Sequence, residues 1–324
     1  MTVARHVEPL VFPRLARDTD EVLRFDEPAR ILDGRPLAGD IRERVRRQVR
    51  TFTTRYGFSP ELVAVKVGRQ EASNVYVQQI RRACAAVGIP SRVLELPSSA
   101  TAHELRQTIQ ALNGDDMVAG IIVQQPLPRH IALSTVTDTI LPAKDIDGIH
   151  PLNTGLMALG YEGFLPACAE AAVAIPKFYG YPLEGKRAVV VGRSNVVGKP
   201  VQMLLVREHC TVTICHRRTV DLAAEVARAD IVVTAAGAPG LVTGNMLQPG
   251  ALVVDVGINV VRGGIVGDVD FESSVKVASA ITPVPGGVGP VTNAVLLAHL
   301  IRAARWQKSN HPITAGHGRK RRAA

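Results

Sequence analysis

The segment Val118–Val123 reads Val-Ala-Gly-Ile-Ile-Val, an unbroken apolar run that ends in Gln124-Gln125-Pro126-Leu127-Pro128. A strand that is apolar at every position has no face for water. It belongs in a parallel sheet covered on both sides. The preceding segments agree. Residues 62–67 and 91–96 read as strands, and 102–113 as a helix with Leu105, Ile109 and Leu112 on one face. Earlier still, Leu37, Ile41, Val45 and Val49 recur every fourth residue after an Asp33-Gly34 turn, which predicts a first helix. Ser73 is a candidate N-cap for the helix carrying Tyr76, and Gly88 its C-terminal stop. Strands alternating with helices predict an α/β domain.

A second α/β unit starts at Arg187. A short strand over 188–191 runs into Gly192-Arg193-Ser194-Asn195-Val196-Val197-Gly198 and a helix through Leu205. Strands are expected at 211–215, 231–235, 252–256 and near 277–281, a doubly wound, Rossmann-like pattern. The segment 282–290 is too rich in Gly and Pro for regular structure, and a helix follows over 292–305. The length of 324 residues fits about two domains.

The remaining composition excludes several classes. No apolar run reaches the roughly 18 residues that span a bilayer. Residues 1–28 lack a continuous signal-peptide core, so a cytoplasmic protein is expected. Cys84, Cys168, Cys210 and Cys215 fall in no CxxC spacing, which argues against disulfides and a zinc site, and no metal is expected. Part of the net charge of +9 lies in Arg319, Lys320, Arg321 and Arg322, in a tail over 307–324 that reads as disordered. With only 4% aromatic residues, that tail reads as solvated rather than as a nucleic-acid site.

Glycines at a strand end let a ligand's backbone approach, and the following helix N-terminus offers free N–H groups to a phosphate. The spacing here is G-x5-G rather than GxGxxG, so a tight turn without a ligand stands beside the phosphate reading. Arg217 and Arg218 follow the next strand. Arginines at that position favour a 2′-phosphate, hence NADP, and two solvated arginines are the alternative. Asp255-Val256-Gly257-Ile258-Asn259 closes another strand at the carboxyl edge. In the first domain, Lys144-Asp145-Ile146-Asp147-Gly148 puts carboxylates in a loop. Asp147 there either holds a polar heterocycle or makes an Asx-type turn before Gly148.

Taken together, these motifs resemble the methylenetetrahydrofolate dehydrogenase/methenyltetrahydrofolate cyclohydrolase family from about Ala29 to Arg305. The resemblance rests on residues 73–76, 120–128, 144–148, 191–200, Cys215-His216, 255–259 and 281–292. It implies a folate-binding α/β domain over 29–165 completed by 282–306, and an NADP-binding Rossmann domain over 166–281. It also implies a homodimer that oxidises methylenetetrahydrofolate with NADP and hydrolyses the methenyl product. By position it assigns Tyr76, Gln124 and Asp147 to catalysis and folate binding, with Pro285, Gly286 and Gly287 beside them. It assigns Gly192, Arg193, Ser194, Gly198, Arg217, Arg218, Ile258 and Thr292 to the cofactor.

Two departures stand out. The family helix reads Y-x-x-x-K, and the lysine's position is Ile80 here. Positions i and i+4 share a helix face, and isoleucine offers no proton, charge or hydrogen bond. Arg81, about 100° around the helix, does not take its place. The family's P-C-T-P is Pro166-Ala167-Cys168-Ala169 here. Hydride transfer depends mostly on positioning, whereas ring opening by water moves protons. The expectation is therefore an NADP-linked dehydrogenase with weak or absent cyclohydrolase activity. The alternatives are a fully bifunctional enzyme with another group in the lysine's role, a non-catalytic folate- or dinucleotide-binding protein, and a Rossmann dehydrogenase for another substrate.

Overall fold

The computed structural model describes residues 29–68 and 71–309, with 71–75 as backbone only. The expected N-terminal extension (1–28) and nearly all of the basic tail lie outside the described residues. In chain order the elements are β1 (Arg30–Ile31), α1 (Gly34–Tyr56), β2 (Glu61–Val67), α2 (Glu71–Val87), β3 (Ser91–Leu96), α3 (Ala102–Gly114), β4 (Val118–Val123), α4 (Ser134–Thr137), α5 (Pro151–Ala158) and α6 (Ala167–Phe178). There follow β5 (Arg187–Val191), α7 (Gly198–Arg207), β6 (Thr211–Cys215), α8 (Leu222–Val226), β7 (Ile231–Thr234), β8 (Leu252–Asp255), β9 (Asn259–Val261), β10 (Gly264–Val266), α9 (Phe271–Ser274), β11 (Ala280–Ile281) and α10 (Val288–Gln307). Among the described residues no helix is long and apolar enough to cross a membrane.

The chain divides into two compact units. One comprises residues 29–40 with 166–295, the other 41–165 with 296–309. The division falls inside α1 and inside α10, not at residues 29 and 282. Its cause is backbone pairing. β1 pairs in parallel with β11, Ala29 N donates to Val275 O at 3.0 Å, and Gly34 N donates to Gly286 O at 2.9 Å. A Cβ on Gly34 would stand 1.9 Å from Gly287 O, so only glycine lets the 286–287 turn lie this close to the start of α1.

The unit of 41–165 is built on a parallel sheet in the order β3-β2-β4. One face carries Val63, Val65, Val67, Leu94, Leu96, Ile121 and Val123 against Leu105, Ile109 and Leu112 of α3. A capping box starts α3. Thr101 Oγ1 accepts from Glu104 N at 3.2 Å, and Glu104 accepts from Thr101 N at 2.7 Å. The register sets three rows on the opposite face: Ser91–Leu62–Gly120, then Val93–Ala64–Ile122, then Glu95–Lys66. α2 covers this second face, since Cys84 is hydrogen-bonded to Ser91. Burial pushes the Cys84 thiol up to about 12. α10 covers it too, since a Cβ on Gly120 would meet Leu300 Cδ1 at 2.6 Å.

The other unit holds a six-stranded sheet in the order β1-β11-β8-β7-β5-β6, parallel throughout. β5 has β6 on one side and β7 on the other, so the strand order reverses there. In such sheets a ligand crevice opens at the carboxyl end of the reversal point.

The structure corrects three local expectations and adds two elements that the sequence did not suggest. The second helix starts at Glu71, so Ser73 lies inside it and does not cap it. The expected strand near 277–281 shrinks to β11, two residues wedged between β8 and β1. The last helix starts at Val288 and takes in Gly289 and Pro290; proline in a first turn loses no intrahelical hydrogen bond. The short strand β1 and the β9–β10 hairpin lack the length that periodicity detects.

Candidate functional site

The β5–α7 turn occupies the reversal point. Gly192 has φ +129°, and a Cβ there would sit 2.1 Å from Ala235 O. A Cβ on Gly198 would sit 2.0 Å from Gly192 O. Both glycines are therefore demanded by the close approach of this turn to itself and to the end of β7. Ser194 Oγ accepts from Val197 N at 3.1 Å, which leaves its own O–H to donate elsewhere. Arg193, Arg217 and Arg218 are exposed, and none forms an ion pair among the described residues. Bare guanidinium groups around a helix N-terminus suit a phosphorylated ligand. Cys168, at the start of α6, donates to Val196 O at 3.2 Å, so the altered 166–169 segment bears directly on this turn.

The carboxyl edge of the same sheet is organised by two aspartates. Asp255 accepts from Thr234 Oγ1, Gly257 N, Asp268 N and Val269 N at 2.8–3.1 Å, and burial pushes its carboxyl up. Asp268, fully buried, accepts from Ala236 N, Gly237 N, Ala238 N and Asn259 Nδ2 at 2.5–3.0 Å. Asp255 thus holds the framework, and Asp268 fixes the loop after β7 and Asn259, the neighbour of Ile258, which is 65% exposed. Sequence reasoning missed Asp268, because its donors lie some thirty positions away along the chain. Pro285, Gly286, Gly287 and Thr292 belong to this unit as well. Gly286 has φ +115°, and Thr292 Oγ1 donates to Val288 O at 3.1 Å.

Tyr76, Gln124 and Asp147 all belong to the other unit. Gln124 follows β4 directly, is 8% exposed, and donates its N–H to Val65 O at 2.9 Å. Tyr76 is half-buried in the second turn of α2, and Ile80 is buried one turn on. Asp147 belongs to a clamped loop. Ile121 N donates to Lys144 O, and Ile121 bridges Asp145. Asp145 makes the Asx-type contacts, accepting from Ile149 N, His150 N and Asn153 Nδ2 at 2.8–3.1 Å. Lys144 Nζ donates to Leu112 O and Asp115 O, and burial brings its ammonium down to about 8.

On α10, His299 Nδ1 lies 2.8 Å from Ile146 O and holds the loop from behind. Asp147 forms no side-chain hydrogen bond among the described residues. Burial, and then the Asp145 carboxylate, push its carboxyl up to about 7. A carboxyl poised near neutrality and free to bond suits a ligand with ring nitrogens. Among the described residues no cluster of three His, Cys, Asp or Glu groups for a metal is formed.

A doubly wound sheet with a glycine-framed, arginine-rimmed turn at its reversal point defines a dinucleotide-binding α/β protein. Comparison with known proteins is more specific. Residues 32–147 match the family model for the tetrahydrofolate dehydrogenase/cyclohydrolase catalytic domain, and residues 166–308 match that for its NAD(P)-binding domain. The bifunctional protein FolD of Roseiflexus sp. (strain RS-1) is 49% identical over 86% of this chain and 96% of its own length. The Moorella thermoacetica FolD is 48% identical over 86% and 99%. Among solved structures, the Campylobacter jejuni FolD superposes with a TM-score of 0.82 at 42% identity, covering 85% of this chain and 98% of that one. The Trypanosoma brucei enzyme, complexed with NADP and an inhibitor, gives 0.83 at 38% identity over 86% and 98%. The chain belongs to the tetrahydrofolate dehydrogenase/cyclohydrolase family.

Proposed function

We propose that the chain oxidises 5,10-methylenetetrahydrofolate to 5,10-methenyltetrahydrofolate with NADP, and that hydrolysis of the product to 10-formyltetrahydrofolate is its weaker activity. The observation that carries the first half is 49% identity over 86% of the chain to a bifunctional FolD, joined to an intact β5–α7 turn. In this reading Gly192, Arg193, Ser194 and Gly198 cradle the phosphates, and Arg217 and Arg218 take the 2′-phosphate. Ile258 and Thr292 line the cofactor. NADP supplies the hydride acceptor. Tyr76, Gln124 and Asp147 hold the folate's reacting end, and Asp147 at about neutral pH bonds the ring nitrogens. Pro285, Gly286 and Gly287 are further folate-binding candidates by their position in the family motif.

The second half rests on Ile80, 3% exposed in the helix position that would present an ammonium. Losing a positioned acid–base group costs about 10²- to 10⁴-fold. Hydride transfer keeps its positioning groups.

The same reading takes the chain as a cytoplasmic homodimer. Four free cysteines suit a reducing compartment. The β9–β10 hairpin pairs Val260 with Ile265 and leaves both exposed, a small apolar patch suited to a second copy.

The test supplies purified protein with methylenetetrahydrofolate and NADP and follows methenyl absorbance. Methenyl should form and accumulate. Methenyl consumed as fast as it forms would overturn the weak-hydrolase half, and no methenyl at all would overturn the dehydrogenase half.

A further inference from the structure

We propose that Lys66 is the proton-handling group of the folate half-site and carries the weaker hydrolytic activity that the chain retains without a lysine on α2. The proposal rests on the folate reading above.

The second face of the β3-β2-β4 sheet is apolar in its middle row and polar in its last. Parallel register pairs Lys66 with Glu95. On the other side Val65 pairs with Val123, and Gln124 N donates to Val65 O, which sets Gln124 next to Lys66. Neighbours in such a row point to the same face. The row Glu95–Lys66–Gln124 therefore crosses the carboxyl ends of three parallel strands, the edge where α/β sheets take their ligands. Lys66 is 3% exposed, and its Nζ meets Glu95 Oε1 at 3.1 Å. A lysine this buried is rare without a purpose for its charge.

The height of the row along α2 follows from element geometry. Cys84 is level with Ser91, to which it is hydrogen-bonded. Glu95 lies four residues further up β3, roughly 13 Å. On a helix running back down the face, that distance is about nine residues. The polar row thus stands level with Val75 and Tyr76. Ile80 is about 7 Å lower by the same measure. A lysine at that position would lean toward the helix N-terminus and reach upward roughly 6 Å. Its ammonium would arrive at the row that Lys66 already occupies. Two ammonium groups in one buried row repel each other, so Lys66 on the strand and Ile80 on the helix are complementary.

In the hydrolytic step a water oxygen bonds to the methenyl carbon, and the bond from that carbon to one of its two nitrogens breaks. The Lys66 ammonium gives its proton to the departing nitrogen. The resulting amine takes a proton from the water, and the other water proton passes to solvent. No oxidation or reduction occurs.

The test measures methenyl hydrolysis and NADP-linked dehydrogenation side by side in the full chain, in Lys66→Leu, in Ile80→Lys and in the double variant, with thermal melts for each. Wild type should hydrolyse methenyl faster than buffer alone. Lys66→Leu should lose about 10²-fold in hydrolysis and far less in dehydrogenation. Ile80→Lys alone should add nothing, and the double variant should regain the lost hydrolysis. The pH profile of the regained activity should resemble that of wild type. Four results would overturn the proposal: no catalysed hydrolysis in wild type, a gain of hydrolysis in Ile80→Lys alone, equal losses of both activities in Lys66→Leu, or no rescue in a double variant that melts normally. None of these touches the dehydrogenase reading, which fails only if methenyl does not form.

Discussion

Substituting Asp268 by asparagine should loosen the cofactor half of the molecule while leaving every apolar contact in place. The carboxylate has two oxygens with two donors each. Oδ2 accepts from Ala236 N and Gly237 N, and Oδ1 from Ala238 N and Asn259 Nδ2. An asparagine amide keeps one oxygen. Whichever way it turns, two donors then face an NH2 group. Each stranded donor costs about 1–3 kcal/mol when buried. Ala236 and Gly237 are exposed enough for water to compensate in part, so the amide should turn its nitrogen toward them, at a total cost of about 2–3 kcal/mol. For a protein of this size the melting point should fall by roughly 3–5 °C.

The loops so freed are those after β7 and after β8. The KM for NADP should therefore rise, and the KM for the folate should change far less. Denaturant melts and paired kinetics on the two substrates measure both effects. Asp268→Ala, which strands all four donors, should be worse. If Asp268→Asn matches wild type within about 0.5 kcal/mol and keeps its KM for NADP, the carboxylate is not what fixes these loops.

Asp147 predicts a pH slope. Its folded carboxyl is raised to about 7 from an ordinary 3.8, so its contribution to stability is complete below 3.8 and is lost as pH rises through about 7. Between about pH 5 and pH 8 wild type should lose more stability than Asp147→Asn, and equal losses in denaturant melts would refute the assignment. Replacing Arg217 and Arg218 by alanine should raise the KM for NADP about tenfold or more and leave that for NAD nearly unchanged; a parallel rise for both cofactors would remove these residues from the 2′-phosphate site. On the proposed homodimer reading, Val260→Glu, on the exposed hairpin, should shift the chain from dimer to monomer in sedimentation without changing its melting point by more than about 2 °C; a monomeric wild type would refute the dimer, and an unchanged dimer would place the interface elsewhere.

Much of the fold was legible because its signals are local. The every-fourth-residue pattern of α1 and the apolar runs of β2 and β4 are all found where periodicity puts them. The Gly192–Gly198 spacing was legible for a steric reason, since both glycines sit where a Cβ would strike backbone at about 2 Å. What local signals missed was held by distant partners. β1 has two residues, and its partner β11 lies near the other end of the chain. The start of α10 reads as a Gly/Pro-rich loop, yet its glycine and proline fall in a first turn that tolerates them. The segment 255–259 reads as a strand end at the carboxyl edge, but the sequence does not show that the Asp255 carboxylate is consumed by the framework or that Asp268 supports the loops.

The helix and the sheet differ in the same way as carriers of a catalytic group. A helix writes its active face into the sequence, since residues four apart share it, and so, against the family's Y-x-x-x-K, Ile80 below Tyr76 registers at once as a missing ammonium. A parallel sheet writes its face across strands whose register no single segment reveals. Lys66 stands in Glu-Leu-Val-Ala-Val-Lys-Val as an odd charge near a strand end. Only pairing with Glu95 and Gln124 places it in the polar row at the ligand edge. A charge moved from helix to strand therefore looks like a loss in the sequence and like a relocation in the fold. The two accounts part on one measurement. If the ammonium is lost, Ile80→Lys restores hydrolysis in the wild-type background. If it has moved, that substitution adds nothing until Lys66 is removed.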